Sequence, residues 1–222
     1  MKRQLRRSAA AILGAGTVLA VLAGCGAPTY TYAADTSDHA YFKVPSSWRQ
    51  VNPQTVSEFQ SVLKNSAIGA AGGSVVWSRA YSENANPALA ALLSGSGSPI
   101  VYASVQSLSD SLRAQLSFNY MRDLLFPVTS QARQAASAAG EQLTGFNLVT
   151  SSTIAGPDGV HGINELYEYQ LGGLPDAFDQ TVLTNGDTTK LYLLLVQCYQ
   201  DCFAAHAEQI KAVVDSFTVK GS

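Results

Sequence analysis

Hydrophobic and polar residues alternate in four consecutive segments of the C-terminal third of the chain. The segments read FNLVTSSTIA, HGINELYEYQL, DAFDQTVLTN and KLYLLLVQCY, and runs rich in glycine, proline and asparagine separate them. Alternation with a period of two is typical of β-strands, and Asn185-Gly186 before the last segment favours a tight hairpin turn. The pattern therefore predicts four successive antiparallel strands.

The last of these segments is apolar at both its odd and its even positions, over residues 191–196. A strand that is buried on both faces needs one layer above the sheet and another below it. Apolar residues at helical spacing, Ile210, Val213 and Phe217, predict that a final helix over 204–217 supplies one of these layers.

Two further helical regions are expected to supply the second layer. Asn52 and Pro53 are typical of a helix start, and the apolar face that follows predicts a helix ending near Asn65. The second region, 109–139, begins at Ser109 and is broken at Pro127, after which Thr129 is expected to cap a second helix that ends at Ala139.

Shorter alternating runs predict further strands at 30–32, 40–45, 73–82 and 99–106. Residues 83–98 are rich in glycine, serine and asparagine with a short apolar middle, so we expect a long mobile loop with room for one helical turn. The sequence thus predicts an α+β fold, a three-layer α-β-α sandwich around a central antiparallel sheet, in a single globular domain over residues 30–220.

The N-terminus has the pattern of a bacterial lipoprotein signal. MKRQLRR carries four basic residues and no acidic one, and an apolar run follows it. This run, of about 15 residues, is shorter than the roughly 20 that a membrane-spanning helix needs. Leu22-Ala23-Gly24-Cys25 resembles the lipobox, in which the cysteine thiol receives a lipid and the chain is cut just before it.

We therefore expect residues 1–24 to be a removed signal peptide and 25–29 to be the lipidated N-terminus and a short tether. The alternative is an ordinary secretory signal, in which Cys25 has no role. Two acyl chains, of the palmitate type, would hold the protein to the outer leaflet of the bacterial cell membrane. About four residues, spanning less than ~15 Å, would then separate the lipid from the fold.

Removal of the leader makes the protein acidic. The whole chain has 14 basic and 16 acidic residues, and loss of the four basic residues in the leader leaves 10 against 16, a formal charge of −6. No basic stripe remains to neutralise phosphates, which argues against nucleic acid as a partner.

Cys198 and Cys202 form a C-x3-C pair at the junction of the last strand and the last helix, and His206 follows at the same spacing. Zinc or copper could bind three such residues on one helix face, but a fourth ligand is missing. Thiols that meet in an exported protein usually oxidise, and a strand-helix junction allows disulfide geometry. We expect a disulfide between Cys198 and Cys202, and neither a metal nor a cofactor.

The sequence contains no signature of catalysis or of nucleotide binding: G-x-S-x-G, G-x-x-x-x-G-K-[ST] and G-x-G-x-x-G are all missing. We expect His39, His161 and His206, which are far apart in sequence, to face solvent. Glu165 and Glu168 are expected on opposite faces of one strand, where they cannot act as a carboxylate pair. We therefore predict no catalytic residue and no enzymatic activity. The strand tyrosines are expected mainly to pack in the core: Tyr30, Tyr32, Tyr41, Tyr167, Tyr169 and Tyr192.

Three stretches carry a family resemblance: YFKVPSSWRQ near the start, LTNGDTTKLYLLLVQC, and IKAVVDSFTV near the end. With a long central helical insertion between them, the chain resembles the PsbP/Mog-like superfamily and, within it, the LpqN-like bacterial lipoproteins. The resemblance covers most of residues 29–220 and rests mainly on Phe42, Pro45, Trp48, Ser216 and Phe217. It implies an α-β-α sandwich and a role in binding or assembly, and it carries over no catalytic residue.

The sequence as a whole indicates a membrane-anchored extracytoplasmic lipoprotein that acts as a non-enzymatic binding or assembly module for another envelope protein. One alternative is a carrier of a small apolar or lipid ligand, held between the sheet and region 109–139 with 83–98 as a lid. The second alternative is an envelope hydrolase, which requires a Ser-His-Asp cluster in the folded chain.

Overall fold

The structure is a computed structural model that describes residues 29–65 and 73–220. The predicted signal peptide, Cys25 and nearly all of the predicted tether lie outside the described residues.

A seven-stranded sheet forms the centre of the fold, and every neighbouring pair of its strands is antiparallel. The strands, in their order across the sheet, are β3 (Arg49–Gln50), β4 (Ser74–Ser82), β5 (Ile100–Ser107), β9 (Lys190–Tyr199), β8 (Leu174–Thr184), β7 (His161–Leu171) and β6 (Thr144–Ala155). The four successive C-terminal strands are as predicted. The turn at Asn185-Gly186 is longer than predicted, because the strands on either side end at Thr184 and begin at Lys190.

A second, three-stranded antiparallel sheet contains the N-terminal hairpin. Its order is β1 (Tyr30–Asp35), β2 (Ala40–Pro45) and β10 (Thr218–Val219), so the last strand of the chain pairs with β2.

Seven helices are described: α1 (Pro53–Asn65), α2 (Leu89–Ser94), α3 (Asp110–Gln115), α4 (Phe118–Arg122), α5 (Ser130–Ala138), α6 (Gln200–Ala205) and α7 (Ala207–Val214). The predicted caps form: the Asn52 side chain accepts from the Gln54 backbone at 2.8 Å, and Ser109 and Thr129 cap α3 and α5. Region 109–139 contains three helices, since Ser117 caps a new helix after the extended residue Leu116.

The two faces of the central sheet bury separate cores. On one face, side chains of α1, α2 and the segment around α4 pack against β5, β7, β8 and β9. On the other face, α6, α7 and the small sheet cover β5 and β9. The predicted three-layer α+β arrangement is confirmed, and a three-stranded sheet forms part of one outer layer.

β9 is buried on both faces, as predicted. Residues 191, 193 and 195 belong to the core beneath α1, whereas 194 and 196 belong to the core beneath α7.

Three predictions require correction. Residues 83–98 contain the helix α2, whose Leu92 is buried, so this segment is more than a loop. The final helix is two helices, because the backbone of His206 leaves the helical region between them. Tyr32 is 77% exposed, and Tyr30 and Tyr41 are half-buried, whereas Tyr167, Tyr169 and Tyr192 lie in the core as expected.

Candidate functional site

A cavity of about 310 Å³ lies between α1 and the central sheet. Its volume is near the lower end of the range of small-molecule sites in proteins. The described residues that line it are uncharged: Ser57, Gln60, Ser61, Leu63, Gly73, Ser74, Val75, Tyr102, Gln106, Leu124, Leu125 and Leu193.

Tyr102 and Gln60 form the polar part of the wall. Gln60 Nε2 donates to the Tyr102 hydroxyl oxygen at 3.3 Å, which joins α1 to β5. Burial raises the pKa of Tyr102 above its ordinary value, and the hydrogen bond from Gln60 acts in the opposite direction. The hydroxyl is therefore protonated at neutral pH and can donate a hydrogen bond. Gln106 adds a second amide two pleats along β5, on the same face.

Leucines form the apolar part of the wall. Leu124 and Leu125 follow α4, and Leu193 projects from β9. A wall of leucines, amides and hydroxyls suits an uncharged molecule that has an apolar body and a hydrogen-bonding group.

The cavity differs from the predicted ligand site. Region 109–139 contributes two leucines, but α1 supplies much of the wall, and no described residue of 83–98 lines it. The amide of Gln197 instead holds α2 on the sheet, because its Nε2 donates to the carbonyl oxygens of Ala91 at 3.1 Å and Leu92 at 2.7 Å. The predicted lid therefore does not cover this cavity.

β6 is a long edge strand. It pairs with β7 on one side, and no described strand pairs with it on the other. Ten of its twelve residues are exposed, including Leu148 at 44% and Val149 at 47%. Pairing with β7 is irregular before Thr150 and regular from Thr150 to Ala155.

The exposed edge of β6 is uncharged over residues 147–155. Charged side chains and prolines commonly protect edge strands from pairing with other chains. Pairing with β7 is irregular near the start of β6, but the regular segment Thr150–Ala155 contains neither a charged residue nor a proline. The outward N–H and C=O groups of this segment can therefore pair with another extended chain.

A buried polar group fixes β6 and α4 to the sheet. Oε1 of Glu165 accepts hydrogen bonds from Arg122 Nε at 3.0 Å and from Ser151 Oγ at 2.9 Å. Burial raises the pKa of Glu165, and its contacts with Ser151 and Arg122 act in the opposite direction. Beside it, Gln180 Nε2 donates to the Met121 carbonyl at 2.9 Å. The Glu165 side chain is closed to solvent, whereas Arg122 is partly exposed and Ser151 is exposed, and the cluster acts in positioning.

Cys198 and Cys202 lie at disulfide distance, with their Cα atoms 5.9 Å apart. His206 does not turn towards the sulfur atoms: its Nδ1 lies 2.9 Å from the Cys202 carbonyl oxygen and its Nε2 lies 3.1 Å from Glu83 Oε2. Within residues 29–65 and 73–220, no group of three or more His, Cys, Asp or Glu side chains is arranged to hold a metal ion.

The other residues considered for catalysis do not come together. All three histidines are half-buried, which differs from the predicted exposure, and among the described residues none has a hydrogen bond to a serine hydroxyl. His161 Nδ1 lies 2.8 Å from the Gly159 carbonyl oxygen. Glu165 is buried beside Arg122, whereas Glu168 accepts from Gln200 at 2.9 Å on the opposite face, as predicted.

Among the helices of the described chain, none has the length and apolar character required to cross a bilayer.

No family model matches the chain, and no curated protein matches it. Solved structures do match. The solution structure of cyanobacterial PsbP (CyanoP) from Synechocystis is 15% identical, with a TM-score of 0.49, and the match covers 91% of this chain and 99% of that one. LpqN of Mycobacterium tuberculosis, involved in cell envelope biogenesis, is 12% identical, with a TM-score of 0.41 and coverage of 82% and 83%.

The Ran-binding protein Mog1p of Saccharomyces cerevisiae is 7% identical, with a TM-score of 0.45, and the match covers 86% of this chain and 96% of that one. These three structures are of the PsbP, Mog and LpqN types that the sequence resembles, and at these identities the likeness is one of fold alone.

Proposed function

We propose that this chain is an exported lipoprotein, anchored through a lipid on Cys25 to the outer leaflet of the bacterial cell membrane, and that it is a non-enzymatic binding module for another envelope protein. The basic start, the apolar run and LAGC support the anchor. The first described residue, Thr29, lies only four positions after Cys25, so the domain stays near the membrane.

The observation that carries the binding role is the uncharged, exposed edge of β6. An extended segment of a partner can add to the sheet beside Thr150–Ala155, with main-chain hydrogen bonds supplying affinity. The small hydroxyl side chains of Ser151, Ser152 and Thr153 let a second strand approach without a charge being buried.

Site-specific photo-crosslinking in intact cells tests this role. A photoreactive residue at Thr153 should capture a partner protein, whereas the same residue at Gln209, exposed on α7, should not. The substitution Thr153→Lys should abolish capture from a crosslinker at the exposed Ser152, and Gln209→Lys should leave it unchanged. Equal capture at both positions, or none at Thr153, would contradict the proposal.

The anchor has a separate test. Mass spectrometry of the mature protein should find Cys25 as the first residue, carrying acyl chains, and Cys25→Ser should release the protein from the membrane fraction. An unmodified thiol on Cys25, or a different first residue, would contradict the lipid anchor. It would not affect the test of partner binding at the edge of β6.

The cavity favours a second candidate function, a carrier of a small molecule. Its wall narrows the predicted ligand class from an apolar or lipid molecule to an uncharged molecule with both an apolar body and a hydrogen-bonding group. Organic extracts of the purified protein should then contain one such compound in stoichiometric amount. Gln60→Leu should reduce that amount, and an empty extract from the native protein would count against this function.

A further inference from the structure

The three-stranded sheet has one buried side and one exposed side. Its inner side consists of small and apolar residues of β1 and β2, Ala33, Phe42 and Val44, which pack into the core beneath α7. Side chains alternate between the two sides along each strand, so the intervening residues point outward. Tyr32 is paired with Lys43, which places these two outward residues side by side.

We name the exposed side the outer face and define it by Tyr30, Tyr32, Tyr41, Lys43 and Lys220. Lys43 Nζ lies 4.3 Å from the centre of the Tyr30 ring, and Lys220 Nζ lies 5.5 Å from the centre of the Tyr41 ring. The contacts join aromatic rings and ammonium groups into one surface on β1, β2 and the residue after β10.

The outer face is basic on an acidic protein. Within the described chain, neither Lys43 nor Lys220 forms an ion pair. The nearby carboxylates are engaged elsewhere: Asp35 is buried, and Asp38 Oδ1 lies 3.0 Å from Lys190 Nζ. The face therefore presents positive charge and tyrosine rings, and no carboxylate of the described residues pairs with its two lysines.

The outer face is also next to the start of the fold. β1 begins at Tyr30, and the chain between Cys25 and this strand can span at most roughly 18 Å when extended. A lipid on Cys25 would keep β1 within that distance of the acyl chains, which is close enough for the small sheet to contact the headgroup layer.

We propose that the outer face lies against the headgroup layer of the membrane that holds Cys25. This inference rests on the proposed lipid anchor. Tyrosine is enriched where proteins meet the membrane-water interface, since its ring is apolar and its hydroxyl is polar. Lysines close to the surface attract anionic lipids. The central sheet packs on the opposite side of the small sheet, so this contact directs the central sheet, with β6, away from the bilayer.

The experiment uses the native lipidated protein, purified and inserted into vesicles of phosphatidylcholine containing about one third phosphatidylglycerol. Flotation with the vesicles and the mass of the N-terminal peptide first establish the anchor. Brief radical labelling followed by mass spectrometry then measures the modification of Tyr32 relative to that of Tyr120, which is partly exposed on α4 across the central sheet. Although Tyr32 is the more exposed of the two tyrosines in the structure, its modification should be low relative to that of Tyr120 on these vesicles.

Two double variants test the charge contribution. Lys43→Gln with Lys220→Gln should raise the Tyr32 to Tyr120 ratio roughly threefold on the same vesicles, since attraction to the anionic lipids is lost. Lys211→Gln with Arg113→Gln removes the same charge from α7 and α3 and should leave the ratio unchanged. Equal ratios in all three proteins would overturn the inference.

The remaining outcomes distinguish a failure of the lipid anchor on Cys25 from a failure of the contact between the outer face and the membrane. A protein that carries no lipid overturns the proposed function and this inference with it, whereas a lipidated, floating protein with a freely labelled Tyr32 overturns the inference alone. Protection that increases with the protein-to-lipid ratio would identify a second copy of the chain as the occupant and would also overturn it.

Discussion

Arg122 donates its Nε–H to Oε1 of Glu165 at 3.0 Å, and the Glu165 side chain is fully buried. This contact joins α4 to the middle of β7. It also leaves Oε2 of Glu165 without a hydrogen-bond partner among the described residues. The stability of the helical layer therefore depends on a charge that Arg122 and Ser151 alone compensate.

Arg122→Met should destabilise the protein by about 2–3 kcal/mol in urea unfolding at neutral pH, because it leaves a buried carboxylate without its cation. The value is below the range for fully buried pairs, since Arg122 is partly solvated. Burial already raises the pKa of Glu165, so the loss should become smaller as the pH is lowered, because protonation of the carboxyl removes the unpaired buried charge.

Arg113→Met is the matched control for Arg122→Met. Arg113 pairs with Asp110 at 3.3 Å on the exposed surface of α3, and such pairs contribute less than about 1 kcal/mol. Equal losses of unfolding free energy in the two arginine variants would contradict the role given to Glu165.

Asp176→Asn should stabilise the protein at pH 8 by about 2–3 kcal/mol and have little effect near pH 4. Asp176 is buried, and burial raises its pKa to about 6, although an interaction with the backbone N–H of Leu171 acts in the opposite direction. A raised carboxyl pKa contributes stability below the pKa of the unfolded chain, and this contribution is lost as pH rises through about 6. Urea unfolding from pH 4 to pH 8 measures the difference.

Burial also raises the pKa of Asp179 to about 6, so Asp179 titrates in the same window as Asp176. The difference in unfolding free energy between the native protein and Asp176→Asn isolates the contribution of Asp176. Glu141→Gln, at an exposed position, should change the unfolding free energy by less than about 0.5 kcal/mol at every pH. A pH-independent effect of Asp176→Asn would contradict the assigned titration.

The double substitution Cys198→Ala and Cys202→Ala should lower the free energy of unfolding by about 2 kcal/mol without loss of the fold, because the bond closes a very short loop. Thiol titration of the denatured native protein should detect neither cysteine before reduction and both after it. Two reactive thiols in the unreduced protein would show that the predicted disulfide does not form.

Gly162→Ala should destabilise the protein by about 1–3 kcal/mol. A Cβ at Gly162 would lie 2.8 Å from Leu183 Cα, so the backbone of β8 would have to move. Gly97→Ala is the control, since a Cβ there would meet no heavy atom within 4 Å. Thermal unfolding distinguishes them, and similar melting temperatures would contradict the close approach of β7 and β8 at this position.

The sequence predicted elements whose signal is local. The period of two in the C-terminal strands and the caps at Asn52 and Thr129 depend on residues within a few positions of each other, and the structure contains them. The apolar run 191–196 identified a strand that is covered on both faces, because its odd and even positions are equally apolar.

The missed features depend on distant pairings. The polar wall of the cavity needs Gln60 and Tyr102, which are 42 positions apart and meet only when α1 lies over β5. The edge position of β6 depends on the order of the strands in the sheet, and the alternation of hydrophobic and polar residues does not encode that order. A run of serine and threonine without charge at 150–153 is the one local signal that could have indicated it.

The position of β9 limits when the protein can fold. β9 lies between β5 and β8, so it joins the two halves of the central sheet, yet it is complete only at Tyr199. The N-terminal hairpin likewise obtains its third strand from residues 218–219. A chain emerging from the ribosome cannot complete the central sheet before Tyr199 has been synthesised, nor the small sheet before Val219, so neither sheet can form strand by strand from its N-terminal end.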